Sequence, residues 1–213
     1  MADNNKLIGI LALQGDFSMH DNALKSIGAK TLLVNKEEHL ENIKGLVIPG
    51  GESTTFLKLA DKSFKNKIAL VIANGLSTFA TCAGLILLAT KVSNPEQESL
   101  GLIDVDVVRN AYGRQVDSFI EDELKWTDEA SSVFKVMENG SRVDFSDLSK
   151  WGQEGVFIRA PKIERVGKSV QVLIKHNNDP VFVKDKNIFG ATFHPELSYG
   201  QSVIHQVFVA HCK

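Results

Sequence analysis

The sequence predicts an α/β protein with a mainly parallel, twisted sheet, helices on both faces of that sheet, and an antiparallel β extension in the C-terminal half. The parallel part is predicted by an N-terminal half in which short apolar runs alternate with helical stretches. The first run, LIGILAL at 7–13, has no polar alternation, as expected of a strand covered on both faces. The extension is predicted because short β-type runs follow one another from residue 103 onward.

The N-terminal half is predicted to hold βαβ units. Strands are expected at 7–13, 31–34, 45–48 and 76–80, and helices at 17–27, 54–60 and 83–91. Gly28 suits the end of the first helix, and Pro49-Gly50-Gly51 ends the third strand. The run 68–73 fits either a strand or a helix, and we favour a helix because Gly75 could cap it.

The C-terminal half is predicted to be mostly β. Short strands are expected at 103–108, 118–121, 133–137, 156–159, 170–174, 180–183 and 188–193, with turns such as Asn139-Gly140 between some of them. The polar stretch 121–155 is expected to hold loops, and 199–212 to close the chain as an amphipathic helix. Because no repeat or linker interrupts the sequence, we expect one domain over residues 1–213.

Composition and charge argue against several classes of protein. Of the 213 residues, 43% are hydrophobic and 23% are charged, which allows a sizeable core. The net charge of −2 argues against nucleic-acid binding, and no apolar run is long enough for a membrane span or signal segment. Two cysteines without metal-ligand spacing favour a cytoplasmic setting. The six histidines form no HExxH motif, so we expect no metal site.

The stretch TFATCAGL at 78–85 places Cys82 between a predicted strand and a predicted helix. A nucleophile with a small residue two positions away on each side, here Ala80 and Gly84, is typical of a strand-to-helix turn that exposes the side chain. The start of a helix lowers a thiol pKa, and the N–H after the nucleophile can stabilise an oxyanion. Free cysteines more often only pack in the core, so the motif alone leaves both interpretations of Cys82 open.

The motif FHPE, with His194 and Glu196, ends the apolar run 188–193. A histidine at a strand end can reach a thiol, and a carboxylate two residues on can orient the imidazole. A surface histidine beside a turn-forming proline explains the motif equally well. Because Cys82 and His194 both follow predicted parallel strands, they are expected to share the carboxyl edge of the sheet, where sites in such sheets lie.

The motif PGGES at 49–53 also follows an apolar strand. Its two glycines would let a peptide N–H turn into a cavity, as the second half of an oxyanion hole requires. A tight turn with Ser53 as a helix N-cap is the alternative. Arg109 and Arg159 each carry a guanidinium that could bind a substrate carboxylate, although solvated surface arginine is the more common case.

Six motifs together carry a resemblance to one family. In chain order they are LALQGD (11–16), LVIPGGEST (46–54), TCAGLILLA (81–89), RNAYGRQVDSF (109–119), FIRAP (157–161) and FHPEL (193–197). The sequence resembles, over residues 7–208, the glutaminase subunits of pyridoxal 5′-phosphate synthase, within the class I, triad-type glutamine amidotransferases. The motifs TCAG and HPE alone indicate only the superfamily, whereas PGGEST, RNxxGRQ and IRAP indicate this branch. The resemblance implies the flavodoxin-like or Rossmann-like class I glutaminase fold.

The resemblance implies that a Cys82–His194–Glu196 triad hydrolyses L-glutamine to L-glutamate and ammonia. Cys82 would form a γ-glutamyl thioester, His194 would transfer protons, and Glu196 would orient His194. The backbone N–H groups of Gly51 and Ala83 would form the oxyanion hole. The residues implied for glutamine binding are Gly50, Gly51, Glu52, Ser53, Arg109, Ile158 and Arg159.

The resemblance also implies a partner, a synthase subunit of the (β/α)₈-barrel type that receives the ammonia and makes pyridoxal 5′-phosphate in vitamin B6 biosynthesis. Gln14 and Asp16, in the loop after the first strand, would lie near that interface. Glutaminases of this family are dormant until the synthase docks and arranges the oxyanion hole. A peptide flip at Gly50-Gly51 would be a low-cost switch, because glycine accepts either sign of φ. No cofactor or metal is implied for this subunit.

The sequence departs from the family at Ala80, where glycine is usual. The extra methyl group would cost about 1–3 kcal/mol if the surrounding backbone could not separate. We expect a tolerated change, because every triad and ligand position is otherwise present. The alternatives are a non-catalytic subunit that stabilises its partner, which Ala80 alone supports, and an amidotransferase of this class that feeds another acceptor. Cys212 is expected only to pack.

Overall fold

The structure, a computed structural model, describes residues 6–111, 118–135, 152–198 and 203–213. The strands are β1 (Leu7–Leu11), β2 (Lys30–Val34), β3 (Gly45–Ile48), β4 (Ser77–Thr81), β5 (Ala89–Ser93), β6 (Ile103–Val108), β7 (Phe119–Trp126), β8 (Gln153–Phe157), β9 (Lys162–Val166), β10 (Gln171–His176), β11 (Asp179–Asp185) and β12 (Ile188–Ala191). The helices are α1 (Phe17–Ser26), α2 (Ser53–Leu59), α3 (Lys62–Ala73), α4 (Ala83–Leu88), α5 (Asp128–Lys135) and α6 (Val203–His211).

The main sheet contains nine of the described strands in the order β2-β1-β3-β4-β12-β11-β10-β7-β8. The pairings from β2 to β12 are parallel, and those from β12 to β8 are antiparallel. The predicted fold class is therefore confirmed. Because β3, β4 and β12 are adjacent and parallel, the loops that follow their carboxyl ends meet at one edge of the sheet.

Two buried apolar clusters cover the two faces of this sheet. Along β1, Ile10 belongs to one cluster and Leu11 to the other, and along β3 Val47 and Ile48 divide in the same way. Successive side chains of a strand point to opposite faces, so the alternation assigns one cluster to each face. The apolar run at 7–13 was expected to be covered on both faces, and β1 fulfils that expectation.

Several helix predictions are confirmed, including the ambiguous one. The run 68–73 lies within α3, which begins after Asp61, whose carboxylate accepts the N–H of Phe64 at 2.8 Å. Gly75 follows the end of α3 with φ 101°, a conformation that favours glycine. At the end of α1, Gly28 has φ 83°, as a glycine just past a helix should.

Two predictions in the middle of the chain are wrong. The expected strand at 133–137 is helical up to Lys135, because Ala130, Val133 and Phe134, spaced i, i+3 and i+4, bury one helical face. The loops expected at 121–155 are replaced at 121–135 by β7 and α5. The turn at Asn139-Gly140 and residues 136–137 lie outside the described residues.

The small second sheet, formed by β5, β6 and β9, accounts for two further differences between the predicted and the observed elements. The helix expected at 83–91 ends at Leu88, and the chain continues as β5, which pairs in parallel with β6. The opposite neighbour of β6 is β9, whose charged sequence KIERV gave no strand signal. Arg165 of β9 binds Asp104 and Asp106 of β6 at 2.7 and 2.8 Å, so its charge fixes the strand in place.

The closing helix α6 packs its apolar residues inward. Val203, Ile204, Val207 and Phe208 are all buried, which agrees with the predicted amphipathic helix from Val203 onward, while residues 199–202 lie outside the described part of the chain. At nine residues α6 is short, and none of the described helices has both the length and the apolar character that crossing a membrane requires.

Candidate active site

Cys82 lies in a strained turn between β4 and α4. Its backbone has φ 46° and ψ −104°, a combination that residues other than glycine rarely adopt. Its N–H donates to the Ala191 carbonyl of β12 at 2.8 Å, which ties the turn to the neighbouring strand. Two residues on, a Cβ at Gly84 would collide with the carbonyl oxygen of Ile48. The close backbone approach expected around the cysteine therefore occurs at Gly84.

Ala80 lies on β4, two residues before Cys82, and is fully buried. It is in register with Gly190 of β12 on one side and Ile48 of β3 on the other. Residues in register on adjacent strands point to the same face, and Gly190 has no side chain to occupy that face. The Ala80 methyl group therefore meets no Cβ at Gly190, where Leu85 Cδ1 fills the space instead, and the tightest backbone contact of the turn is at Gly84.

His194 and Glu196 follow β12 and form a buried hydrogen-bonded pair. His194 Nδ1 lies 2.8 Å from Glu196 Oε1, and the two side chains are 5% and 0% exposed. Cys82 and His194 line the same cavity, and the Cys82 side chain is close enough to contribute to the raised pKa of the imidazole. The interpretation of His194 as a surface histidine is therefore wrong, and the nucleophilic role of Cys82 stays a prediction.

The charges of this pair reinforce each other. Burial disfavours a charged imidazole, but hydrogen bonds and charge interactions with Cys82 and Glu196 outweigh it and raise the pKa of His194 from 6.5 to about 11. Burial also disfavours a charged carboxylate, but the His20 and His194 imidazoles outweigh it and lower the pKa of Glu196 below its usual 4.5. The pair is consequently an imidazolium and a carboxylate at neutral pH.

The loop after β3 approaches the loop after β1 closely. The Gly50 N–H donates to Thr81 Oγ1 at 2.9 Å, and the Glu52 N–H donates to Gln14 Oε1 at 2.8 Å. Between them Gly51 has φ 129°, and a Cβ at Gly51 would lie 2.5 Å from Gln14 Oε1. Gly51 is thus required both by backbone conformation and by space.

Ser53 is the first residue of α2, and Glu52 occupies the N-cap position without a side-chain cap bond. The alternative interpretation of PGGES as a turn with Ser53 as N-cap is therefore wrong. The Ser53 hydroxyl instead donates to Gln97 Oε1 at 2.7 Å, so Gln97 fixes its orientation.

A cavity of about 110 Å³ opens beside Cys82 and His194. Its wall includes an ion pair between Arg109 and Glu52, 3.3 Å apart, in which the Arg109 side chain is only 13% exposed. The other lining residues are Asp16, Gly51, Ser53, Ile86, Asn110, Ile158 and Arg159. The cavity thus brings together a thiol, a histidine–carboxylate pair, and a wall that carries both guanidinium and carboxylate groups.

The comparison with protein families agrees with this geometry. The model of the SNO glutamine amidotransferase family matches residues 10–213. The chain belongs to this family.

Proteins of known name and structure are similar to this member of the family along nearly their whole length. The chain is 43% identical to "Pyridoxal 5'-phosphate synthase subunit PdxT" of Thermotoga neapolitana over 90% of this chain and 92% of the relative. It is 44% identical to the protein of the same name from Koribacter versatilis, over 95% and 93%. A solved structure described as a glutamine amidotransferase superposes with a TM-score of 0.77 at 38% identity, covering 96% of this chain and 98% of the other.

The structure of this glutamine amidotransferase family member brings most of the predicted site residues to the cavity. Four of the predicted residues do not line it. Gly50 and Glu196 lie against the His194 imidazole instead, and Gln14 and Ala83 line a smaller neighbouring cavity. Residues 112–117 of the motif RNAYGRQVDSF lie outside the described residues. Sequence reasoning missed Ile86 and Asn110 as lining residues, although Ile86 is one helical turn after Cys82 and Asn110 adjoins Arg109.

Asp16 lies closer to the site than expected. It was predicted near a partner interface, and its half-exposed carboxylate is 4.0 Å from His194 Nδ1. With His194 and Glu196 it forms a group whose possible metal-ligand atoms lie within 4.8 Å of one another. Nδ1 of His194 and Oε1 of Glu196 are bonded to each other, however, and this favours proton transfer over metal binding.

The second cysteine and the larger cavity both lie away from this site. Burial raises the pKa of Cys212 to about 12, and a Cβ at Gly45 would lie 2.5 Å from its Sγ, as expected of a packing residue. The larger cavity, about 670 Å³, opens at the amino end of β4 and contains no cysteine among its lining residues.

Proposed function

We propose that this chain is the glutaminase subunit of a cytoplasmic pyridoxal 5′-phosphate synthase. It hydrolyses L-glutamine to L-glutamate and ammonia, and passes the ammonia to a synthase partner in vitamin B6 biosynthesis. The observation that carries the proposal is the His194–Glu196 pair beside the strained Cys82 turn. The family membership and the names of the relatives from Thermotoga neapolitana and Koribacter versatilis agree with it.

In the first half of the reaction the Cys82 thiolate attacks the side-chain amide carbon of glutamine. A C–S bond forms, and the carbonyl π electrons move to oxygen, giving a tetrahedral oxyanion. His194, protonated at rest because of its raised pKa, gives a proton to the amide nitrogen. The C–N bond then breaks, leaving ammonia and a γ-glutamyl thioester.

In the second half, water attacks the thioester carbon while the now neutral His194 accepts a proton from that water. The C–S bond breaks, glutamate leaves, and the thiolate–imidazolium pair is restored. Glu196 keeps its carboxylate on Nδ1 throughout, so that Nε2 of His194 carries the transferred proton.

The oxyanion lies between the N–H groups of Gly51 and Ala83. The Gly50 carbonyl oxygen is directed at Gly15, since a Cβ on Gly15 would overlap it. The two ends of a trans peptide point in opposite directions, so the Gly51 N–H is directed away from Gly15. Gly51 and Cys82 line the same cavity, and Ala83 follows the nucleophile directly, as an oxyanion donor should.

Glutamine enters the cavity with its charged end toward Arg109. The Arg109 guanidinium is largely buried and pairs with Glu52 on the cavity wall, which suits an α-carboxylate and an α-ammonium held side by side. Arg159 lies at the exposed mouth with φ 45°. Gly51, Ser53 and Ile158 complete the amino-acid site, and Gly50 supports it from behind the His194 imidazole.

The partner is a synthase subunit of the (β/α)₈-barrel type. It docks at the carboxyl edge of the sheet, where Gln14 and Asp16 lie in the loop after β1. Gln14 holds the Glu52 N–H, so a partner that contacts Gln14 also contacts the loop with Gly51. The chain acts as one domain, since the main sheet joins β1 to β12, and we place pyridoxal phosphate and any metal outside this subunit.

Glutamate release with and without the synthase partner tests the proposal. We expect release with the partner present, and a fall of about 10³-fold or more in Cys82→Ala, since the residual rate comes from binding alone, with docking intact. Retained release in Cys82→Ala would refute the nucleophile. No release from the natural chain in either state would favour the non-catalytic subunit, and release coupled to another acceptor would favour a different pathway.

A further inference from the structure

The His194–Glu196 pair continues inward as a buried string of polar side chains. Glu196 Oε2 lies 3.4 Å from Nε2 of His20 on α1, and Nε2 also lies 3.2 Å from Thr81 Oγ1. On the other side of the ring, His20 Nδ1 lies 2.9 Å from Nε2 of His205 on α6. His20, Thr81 and His205 are all completely buried. Neither histidine has a place in the proposed reaction steps.

The Glu196 carboxylate needs a donor for its second oxygen. Oε1 is bonded to His194, while Oε2 is buried and has no hydrogen bond of normal geometry among the described residues. A buried carboxylate oxygen without a donor is strongly destabilising. His20 Nε2, completely buried and facing Oε2, is placed to supply the proton.

The tautomer of His20 follows from His205. Burial lowers the pKa of His205 to about 3, so His205 is neutral and carries one N–H. His205 Nδ1 has no partner among the described residues. A bare nitrogen lone pair is less costly there than a buried N–H, which places the His205 proton on Nε2, donating to His20 Nδ1.

The His205 tautomer also determines which nitrogen of His20 carries the proton. With Nδ1 accepting from His205, the His20 proton must reside on Nε2, between Glu196 Oε2 and Thr81 Oγ1. The opposite tautomer would aim a lone pair at the Glu196 carboxylate and leave an N–H of His205 without an acceptor. Both problems are avoided when the proton is on Nε2 in each of the two histidines.

We infer that His20 is a positioning residue for the proposed triad: its Nε2–H holds Oε2 of Glu196, and Glu196 thereby keeps the His194 imidazole aligned with Cys82. This inference rests on the proposed glutaminase function. His20 touches neither substrate nor nucleophile, and acts only through Glu196. The alternative is a histidine that fills the core between α1, β4 and α6, where its ring packs edge-on against Phe79.

Two amide variants separate the positioning role from the packing role. The amide nitrogen of Gln reaches the place of Nε2, so His20→Gln keeps a donor for Glu196. The amide of Asn reaches only the place of Nδ1, so His20→Asn keeps a partner for His205 and leaves Glu196 Oε2 without a donor. Both are polar and of similar size, and Phe208→Leu, which thins the same apolar cluster, controls for looser packing.

The variants are assayed for glutamate release with the synthase partner, and for the free energy of unfolding in urea. We expect His20→Asn to lower kcat about 10- to 100-fold, as loss of a residue that orients a catalytic ligand does, with KM unchanged. His20→Gln should retain kcat within about 3-fold, and Phe208→Leu should keep it while losing stability. In a Glu196→Gln background, His20→Asn should cause no further loss.

The inference is overturned if His20→Asn and His20→Gln lose activity equally. It is also overturned if the loss of activity in all three variants, Phe208→Leu included, is proportional to the loss of stability. It is also overturned if His20→Asn adds its full loss to that of Glu196→Gln. Absence of glutamate release from the natural chain with its partner would instead refute the proposed function, so the two failures are distinguishable.

Discussion

Gly50 lies directly against the imidazole ring of His194. A Cβ at Gly50 would collide with Cε1, and would lie 2.9 Å from Nδ1 and 3.3 Å from the Cβ of Cys82. The proposed base is therefore held between the Glu196 carboxylate on one side and bare backbone on the other. Any side chain at residue 50 must push the imidazole away from the thiol.

We expect Gly50→Ala to lower kcat about 10-fold or more, because a small displacement of a catalytic group costs much of its effect. Stability should fall only by about 1–3 kcal/mol, the usual range for overpacking. Gly152→Ala is the matched control, since a Cβ there meets nothing within 4 Å. Steady-state glutamate release and urea unfolding of both variants check the prediction, and equal activity of the two would contradict it.

Gly51→Val should impair partner-activated glutaminase more than folding. A Cβ at Gly51 would lie 2.5 Å from Gln14 Oε1 and 2.7 Å from the Gly15 Cα, which blocks any turn of the Gly50–Gly51 peptide. Gly101→Val controls for strain, because Gly101 also has positive φ, 63°, but open space around it. The ratio of glutamate release with and without partner is the measurement. A Gly51→Val protein with full activity beside its partner would refute the switch.

Ala80→Gly should leave kcat within about 2-fold and reduce the free energy of unfolding by about 1 kcal/mol, as glycine in a strand does. The reason is that the Ala80 methyl lies in register with Gly190 and does not crowd Cys82. A large gain of activity in Ala80→Gly would show that the methyl group does impair the turn, and would revive the interpretation as a weakened subunit.

The raised pKa of His194 predicts how stability depends on pH. A group whose pKa is raised by folding stabilises the fold fully below its unfolded pKa, here 6.5, and loses that contribution as pH rises toward the folded value of about 11. The difference in the free energy of unfolding between the natural chain and His194→Gln should therefore fall between about pH 7 and pH 11. In Cys82→Ala the fall should end at lower pH and be smaller in total, since Cys82 is one cause of the raised folded-state pKa. Urea titrations across this range test it, and a flat difference would argue against the imidazolium.

The sequence reveals the strands that carry the site because the signals are local. Cys82, His194 and the loop at Gly50 each follow an apolar run, and parallel strands in βαβ units end at one edge. Residues that depend on strand order could not be found in this way. Whether His20 of α1 meets Glu196 is decided by β12 lying beside β4, and nothing near residue 20 in the sequence indicates that neighbour.

The sequence also predicted the wrong structure, or none, where the intrinsic preference of the residues disagreed with their tertiary contacts. Val133 and Phe134 have strong β preference, yet with Ala130 they form the buried face of α5. In β9 the charges of Lys162, Glu164 and Arg165 masked a strand, although its Ile163 is buried and Arg165 bonds to β6. Tertiary contacts outweigh intrinsic preference in both cases.

The register of β4 with β12, in which Thr81 lies beside Ala191, has a consequence during protein synthesis. Cys82 emerges from the ribosome with the first strands, whereas His194 and Glu196 follow the last strand of the sheet. An unfinished chain therefore carries the thiol without its base, and β12 cannot enter the sheet between β4 and β11 until it has been translated. A nascent or truncated copy without β12 should therefore release no ammonia.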